Sequence, residues 1–464
     1  MPTGGAPFRD GLTMPFIHSR ARTPGRTSRA LGPCRHGLIS SSLACAALAA
    51  HAEAQEDWNV HAQLTYVSQR KDAVASPYSG LNSLRAGPES SYSLTATAAL
   101  GLRLGPSTEL YVNPEVAQGK PISGLLGLAG FSNGELAKTS GTNPKLYRAR
   151  LFARHTVDLG GDTVDLPSGA NQLAGRTTSD RLVLTAGALS VLDIFDTNSL
   201  AHDPRMQFMN WALMTHAAYD YPADSRGYTY GVAAEFITDA WALRAGRFSV
   251  PLQPNQLQLD SHLLRHYGDQ VELSRDYSIA DQAGTARLLV YRVKAAMADY
   301  ADALAASTGE PSLDVPARRV RSKSGAGVSI EHRVSSQVAL FLRALQADGK
   351  TETYAFTEAD RSFSIGAQWD MSGWGRPHDS TGFGWALNGL SAAHREFLRR
   401  GGTTFFLGDG TLRYRGEQDL EWYYRSELSK GFYLTADVQQ VHSPGYNADR
   451  GPARFYALRL HWEQ

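Results

Sequence analysis

The sequence has little cysteine: two residues in 464, Cys34 and Cys45, both close to the start. Beyond them the chain holds no thiol, which excludes a disulfide framework and any thiolate-ligated metal centre there. Long apolar runs are also missing. No stretch reaches the ~18 residues that a spanning helix needs, and the mean hydropathy is −0.31, so the chain is not a helical membrane protein. Neither sign of charge dominates: 46 Lys and Arg face 45 Asp and Glu, leaving no polycationic face for nucleic acid. With 42% hydrophobic residues the chain is too apolar to be disordered. What it has in quantity is glycine (44 residues) and tyrosine (20 residues), a composition that suits strands and turns.

Residues 1–54 read as an export leader. Arg9, Arg20, Arg22, Arg26, Arg29 and Arg35 stand against Asp10 alone, and an apolar run follows from Gly37 to Ala50. Ala50-His-Ala52 and Ala52-Glu-Ala54 then supply the small-x-small pattern of a cleavage site. A mitochondrial transit peptide is the rival for an Arg-rich leader, and the apolar core favours secretion. Ser42 stands where a lipoprotein signal wants Leu, three residues before Cys45, which argues against lipidation. Residues 55–464 are expected to form one domain.

In that domain the dominant period is two. Between Ser91 and Leu104, Tyr92, Leu94, Ala96, Ala98, Leu100, Leu102 and Leu104 alternate with Ser, Thr, Ala, Gly and Arg. The length is near that of a membrane-spanning strand. Similar segments lie near 58–69, 90–104, 107–118, 146–159, 181–190, 225–238, 240–249 and 267–276. Eight more lie near 285–298, 324–334, 336–347, 361–371, 382–390, 415–428, 431–442 and 453–462. Short connections follow segments 2, 6, 10 and 14 in this order, and the long ones follow odd-numbered segments. An up-and-down barrel with turns on one rim and loops on the other requires that parity. The exception is 160–180, rich in Gly, Asp and Asn and too long for a tight turn. A soluble β-sandwich also alternates, but sixteen two-faced strands exceed what one soluble core buries. The expected fold is an all-β, 16-stranded antiparallel transmembrane barrel with its apolar face toward lipid and its polar face toward water.

In such a barrel, Tyr147, Ala149, Leu151, Ala153, Val157 and Leu159 face outward, and Arg148, Arg150 and Arg154 form a ladder in the lumen. Glu109, Asn113 and Glu115 face inward on the neighbouring segment, with Glu235 and Arg244 further round. Arg343, Gln368, Asp370, Asp419, Glu421, Tyr423, Arg425 and Glu427 do the same on later strands. Opposed charges across a narrow lumen offer planar donors and acceptors to a hydroxyl-rich solute, or they pair and stiffen the wall. The longest connection, 191–224, mixes Phe208, Trp211 and Leu213 with His202, Asp203, Arg205 and Asn210. It is too apolar for a loop in water and is expected to pack inside the lumen as a constriction. Trp211 there supplies either a stacking face for a sugar ring or a buried wall contact.

Catalytic signals are decoys. Gly130-Phe-Ser-Asn-Gly134 matches the nucleophile-elbow pattern but falls in a loop between barrel strands rather than in a strand-turn-helix. No zinc, P-loop or EF-hand spacing appears, so no metal and no cofactor are expected.

Several blocks in order resemble the OprB-type carbohydrate-selective porins of Gram-negative outer membranes. They include Tyr78-Ser-Gly-Leu-Asn-Ser-Leu84, Glu109-Leu-Tyr-Val-Asn-Pro-Glu115, Gly127-Leu-Ala-Gly-Phe-Ser-Asn-Gly-Glu135 and Tyr147-Arg-Ala-Arg-Leu-Phe-Ala-Arg154. Ala201-His-Asp-Pro-Arg205 with Phe208-Met-Asn-Trp211, Trp241-Ala-Leu-Arg-Ala-Gly-Arg247, Gly375-Arg-Pro377, Leu390-Ser-Ala-Ala-His-Arg395 and Tyr446-Asn-Ala-Asp-Arg-Gly-Pro452 continue the series. The resemblance covers the chain from about Trp58 onward. It implies passive diffusion of small, glucose-like sugars and no enzymatic activity. It carries the arginine ladder onto Arg148, Arg150 and Arg154 and its acidic partners onto Glu109 and Glu115. The implied partners are sugars, outer-membrane lipid and the barrel-assembly machinery, with the barrel a homotrimer or a monomer. Family members commonly finish on an aromatic residue; here Gln464 holds that place. The competing functions are a non-selective or ion-preferring porin and a plugged receptor or adhesin barrel.

Overall fold

A computed structural model describes residues 55–138 and 141–464; the expected leader, 1–54, lies outside the described residues. The strands are β1 (Trp58–Lys71), β2 (Glu89–Gly105), β3 (Thr108–Lys120), β4 (Lys145–Leu166), β5 (Gly175–Leu189), β6 (Thr229–Ile237), β7 (Trp241–Phe248) and β8 (Tyr267–Ile279). They continue as β9 (Gln282–Met297), β10 (Arg319–Arg333), β11 (Val338–Ala347), β12 (Arg361–Asp370), β13 (Ser380–Gly389), β14 (Glu417–Ser429), β15 (Phe432–His442) and β16 (Ala453–Glu463). Each pairs antiparallel with its sequence neighbours, and β1 pairs with β16 from Gln63↔Glu463 to Lys71↔Phe455, closing the barrel. Closure removes both sheet edges, so each strand of the wall has a hydrogen-bonded neighbour on either side.

Alternation sorts the side chains as the period-two pattern requires. Val60, Leu64, Leu102, Leu243, Leu273, Leu288, Leu340, Ile365 and Leu458 are exposed on the outer face. A continuous apolar band of this kind is untenable in water and matches the hydrocarbon of a bilayer. The turn rim carries the connections after even-numbered strands, and the loop rim carries those after odd-numbered ones.

Two local departures reshape the lumen. The first is a bulge between β3 and β4: Asn113 pairs with Arg150 but Pro114 pairs with Arg148, so Ala149 is the extra residue. Proline offers no N–H to the ladder, and a bulge is where a strand tolerates it. The extra residue reverses the facing of everything on its loop side. Tyr147 therefore points inward opposite Glu115, and Arg148 points outward and is exposed, contrary to the expected ladder. The second concerns 160–180, which is not an irregular excursion. β4 and β5 continue as a two-stranded ribbon beyond their neighbours, with register shifts at Asp158/Gly160 and Gly160/Thr163. Gly160 and Gly161 have φ of 117° and 87°, a backbone that side chains disfavour, and a Cβ on Gly161 would lie 2.1 Å from Ser179 Oγ. Those shifts break the alternating pattern, so the strands are hidden from a period-two reading.

Candidate functional site

The β5–β6 loop, which contains 191–224, lies inside the barrel. Its hydrogen bonds reach inner-face groups of β8 (Asp196 N to Glu272), β10 (Ser199 N to Glu331), β12 (Ala218 N to Ser362 Oγ), β14 (Asn210 N to Glu421) and β16 (Arg459 to Pro204 O). Only a segment crossing the lumen can touch strands on so many sides. Phe208, Trp211, Leu213 and Met214 are fully buried there. Trp211 stacks on Phe356 at 4.6 Å and meets Phe131 edge-on at 5.4 Å. It is packed between two other inward connections, not an open stacking face.

Inward polar side chains hold this loop and its neighbours to the wall. Glu421 accepts from Met209 N at 2.5 Å and Asn210 N at 2.9 Å, and Glu417 accepts from the backbone of Ala129, Gly130 and Gly445. Buried N–H groups of an irregular loop need acceptors, and carboxylates on the strands supply them. Arg343 binds Asp196 at 2.9 Å and the carbonyls of Leu213 and Ala201. Burial pushes the Asp196 carboxyl up, but Arg343 and His216 outweigh it and hold it at about 2. Burial lowers the neighbouring His216 to about 4.

A second network joins the β3–β4 and β5–β6 loops to the wall. Arg205 lies 3.2 Å from Glu115 and 3.1 Å from Glu135, and Lys138 lies 3.6 and 3.7 Å from the same two carboxylates. The hydroxyl of Tyr147 also donates to Glu115. Burial raises the Glu135 carboxyl, and Arg205 and Lys138 bring it down to about 2. Two acids and two bases with all four side chains buried form a neutral lock. Arg205 and Glu115 therefore belong to the scaffold. Asp203 accepts from the backbone of Arg205 at 2.8 Å and is half-buried. Asn113 is fully buried, and neither of its side-chain polar atoms has a hydrogen-bond partner among the described residues.

Other expected lumen residues keep a partly exposed edge. Across β2, β3 and β4 the register aligns Arg103, Glu109 and Arg154 in one row. Arg103 is 2.9 Å from Glu109, with both side chains about a tenth exposed at 11% and 12%. Arg154 lies over the rings of Tyr111 at 5.2 Å and Phe152 at 5.5 Å, and donates to Asn171 O at 2.9 Å. Asn171 belongs to the β4–β5 turn, which returns to the barrel: Asn59 donates to Gln172 O, and Leu173 N donates to Tyr111 Oη. Across β6, β7 and β8 a second row places Arg244 3.0 Å from Glu235 and 3.2 Å from Glu272. From the loop, Asp193 reaches Arg150 through two bonds of 2.6 and 2.7 Å; Arg150 is fully buried, while Asp193 keeps 17% of its side chain exposed.

Five expected residues thus line partly exposed rows or pair with a group that does: Glu109, Arg150, Arg154, Glu235 and Arg244. Asp193, Arg103, Glu135 and Lys138 were missed. Arg103 sits on the polar face of the cleanest strand and was legible there; the other three lie in connections where no periodicity operates. Among the described residues no group of three or more His, Asp or Glu is placed to hold a metal.

No curated protein sequence matches the chain. A high-pH structure of OprB from Pseudomonas putida superposes with a TM-score of 0.66 at 16% identity, covering 88% of this chain and 94% of that one. The outer membrane channel DcaP of Acinetobacter baumannii gives 0.50 at 10% identity, over 88% and 97%. Both likenesses concern the fold. The family model for carbohydrate-selective porins of the OprB family matches residues 83–463. With the closed sixteen-strand barrel, its apolar outer band and its charge-lined interior, that match places this chain in the OprB family of outer-membrane, carbohydrate-selective porins.

Proposed function

We propose that small sugars cross this barrel beside the inward-folded β5–β6 loop, along two partly exposed rows that only β5 separates: Arg103, Glu109 and Arg154 on β2–β4, and Glu235 and Arg244 on β6 and β7. The observation that carries this reading is the pairing within those rows. Each guanidinium lies beside a carboxylate or carbonyl, so donors and acceptors alternate at the spacing of adjacent strands. A sugar presents hydroxyls that both donate and accept, and it exchanges water for such a surface at little cost. A small ion gains less at Arg103 and Arg244, which already lie beside carboxylates. Tyr111 and Phe152, both buried beneath Arg154, hold its guanidinium in place.

Permeation is passive on this reading, since the barrel needs no energy-coupling element to let a neutral solute run down its gradient. Single-channel recording tests the site. Glucose added to wild-type channels should block the ionic current in a saturable way, and Arg154→Ala should weaken the block by about tenfold, as loss of one charge-assisted contact implies. An ionic current indifferent to sugar in the wild type would instead favour a general, ion-preferring porin.

A further inference from the structure

The outer face of the barrel is charged unequally at its two ends. On the turn side, Trp58, Trp241, Trp369 and Trp462 face outward near the strand ends, and Arg275 lies over Trp241 at 4.9 Å. This is an aromatic interfacial belt. On the loop side most of the charged outward positions are basic. Arg70, Lys120, Arg148, Arg361 and Arg454 lie there on five different strands. The cations draw together on β7 to β9 as Arg247, Arg292 and Lys294. Within the described strands the only carboxylate on this side of the outer face is Asp269.

The local geometry leaves charge over. Arg247 binds Asp269 through two bonds of 2.7 and 2.9 Å and lies 3.9 Å from the Tyr267 ring centroid. Arg292 is exposed, lies opposite Asp269 on β8, and among the described residues hydrogen-bonds only to the Ser322 hydroxyl, at 3.3 Å. Lys294 sits 5.8 Å from the Tyr267 ring, with no carboxylate within ion-pair distance among the described residues. One strand carries both, two residues apart and pointing the same way. Three cations around one carboxylate, with the Ser322 hydroxyl beside them, therefore border the apolar band at its loop-side edge. A soluble anion could reach them, but it would leave the adjoining apolar surface of Val271, Leu288 and Val290 unused.

We infer that this patch binds a lipid whose headgroup carries phosphate monoesters. A monoester bears close to two negative charges and accepts several charge-assisted hydrogen bonds, matching Arg292 and Lys294 together, while its acyl chains cover the apolar band below. A phosphodiester, with one charge, matches the pair less well.

Native mass spectrometry of the detergent-purified barrel tests the assignment, with bisphosphorylated lipid A as probe. The dephosphorylated lipid, phosphatidylglycerol and inorganic phosphate serve as comparison ligands. Wild type should retain lipid A about 30-fold better than its dephosphorylated form, each cation contributing about fivefold. Arg292→Ala with Lys294→Ala should remove that preference, and Arg275→Ala on the turn side should keep it. Heat-modifiable gel mobility shows that each variant still forms the barrel. Equal retention of the two forms of lipid A, or an undiminished preference in the double variant, overturns the site. Phosphatidylglycerol bound as tightly as lipid A overturns the monoester assignment, and competition by millimolar inorganic phosphate overturns the lipid.

Discussion

His216 sits in the lumen loop, 3.7 Å from the same Asp196 oxygen that Arg343 binds at 2.9 Å, with His202 close by. Its imidazole is held neutral by burial, with its pKa lowered to about 4. In an undocked loop the ring takes its proton near 6.5. Between those values the released loop binds a proton that the docked loop does not, so docking weakens as the pH falls, by up to about 3 kcal/mol. Asp196, held at about 2, adds a further loss below pH 4. Hydrogen exchange across 191–224, corrected for intrinsic rate, should therefore quicken between pH 6.5 and 4.5. His216→Gln should flatten that part of the profile, and an unchanged slope in the variant would contradict the assignment. Arg150 makes a separate prediction. Arg150→Ala strands Asp193 against the wall and should cost toward the low end of the about 3–5 kcal/mol of a broken buried pair, since Asp193 is partly exposed. Arg148→Ala, on the outer face, should leave sugar block and reversal potential unchanged. These two residues stand at a spacing that suggests a shared face, and only Pro114 on the neighbouring strand hints at the bulge that separates them. Side-chain facing is legible wherever alternation is unbroken, as for Glu109, Glu235 and Arg244, and is lost at a single inserted residue.

At the scale of elements, the inner face divides its carboxylates between two tasks. Those of Glu417 and Glu421 take backbone N–H groups from inward loops, whereas Glu109 and Glu235 face arginines at partly exposed edges. Glu421→Ala leaves the amides of Met209 and Asn210 without acceptors, at about 1–3 kcal/mol for each buried group. The expected result is faster proteolysis within 191–224 in a barrel whose gel mobility is unchanged. Equal protection would mean that the apolar contacts of Phe208 and Trp211 fix the loop alone. The loop's inward position was legible in its composition, because Phe208, Trp211 and Leu213 could not face water. Its path was not, since a carboxylate that clasps a backbone amide leaves no mark in the spacing of residues. The β4–β5 ribbon was hidden for a related reason: Gly160 and Gly161 shift the register twice, and the alternation resumes in a different phase.

For the whole molecule, sixteen strands and the parity of their connections follow from one requirement, a closed sheet with turns on one rim and loops on the other. That requirement leaves a strong trace in sequence because every strand repeats it. Selectivity leaves a weaker one, since it depends on which charges remain exposed after the loops fold inward. The central claim is that the remaining passage prefers sugars to other neutral solutes of the same size. The most direct measurement is liposome swelling with the purified mature barrel, comparing glucose, a disaccharide and an uncharged non-sugar solute matched to glucose in size. Faster swelling in glucose than in its size match is the predicted result. Equal rates for the two would contradict a sugar-selective passage and leave a simple sieve.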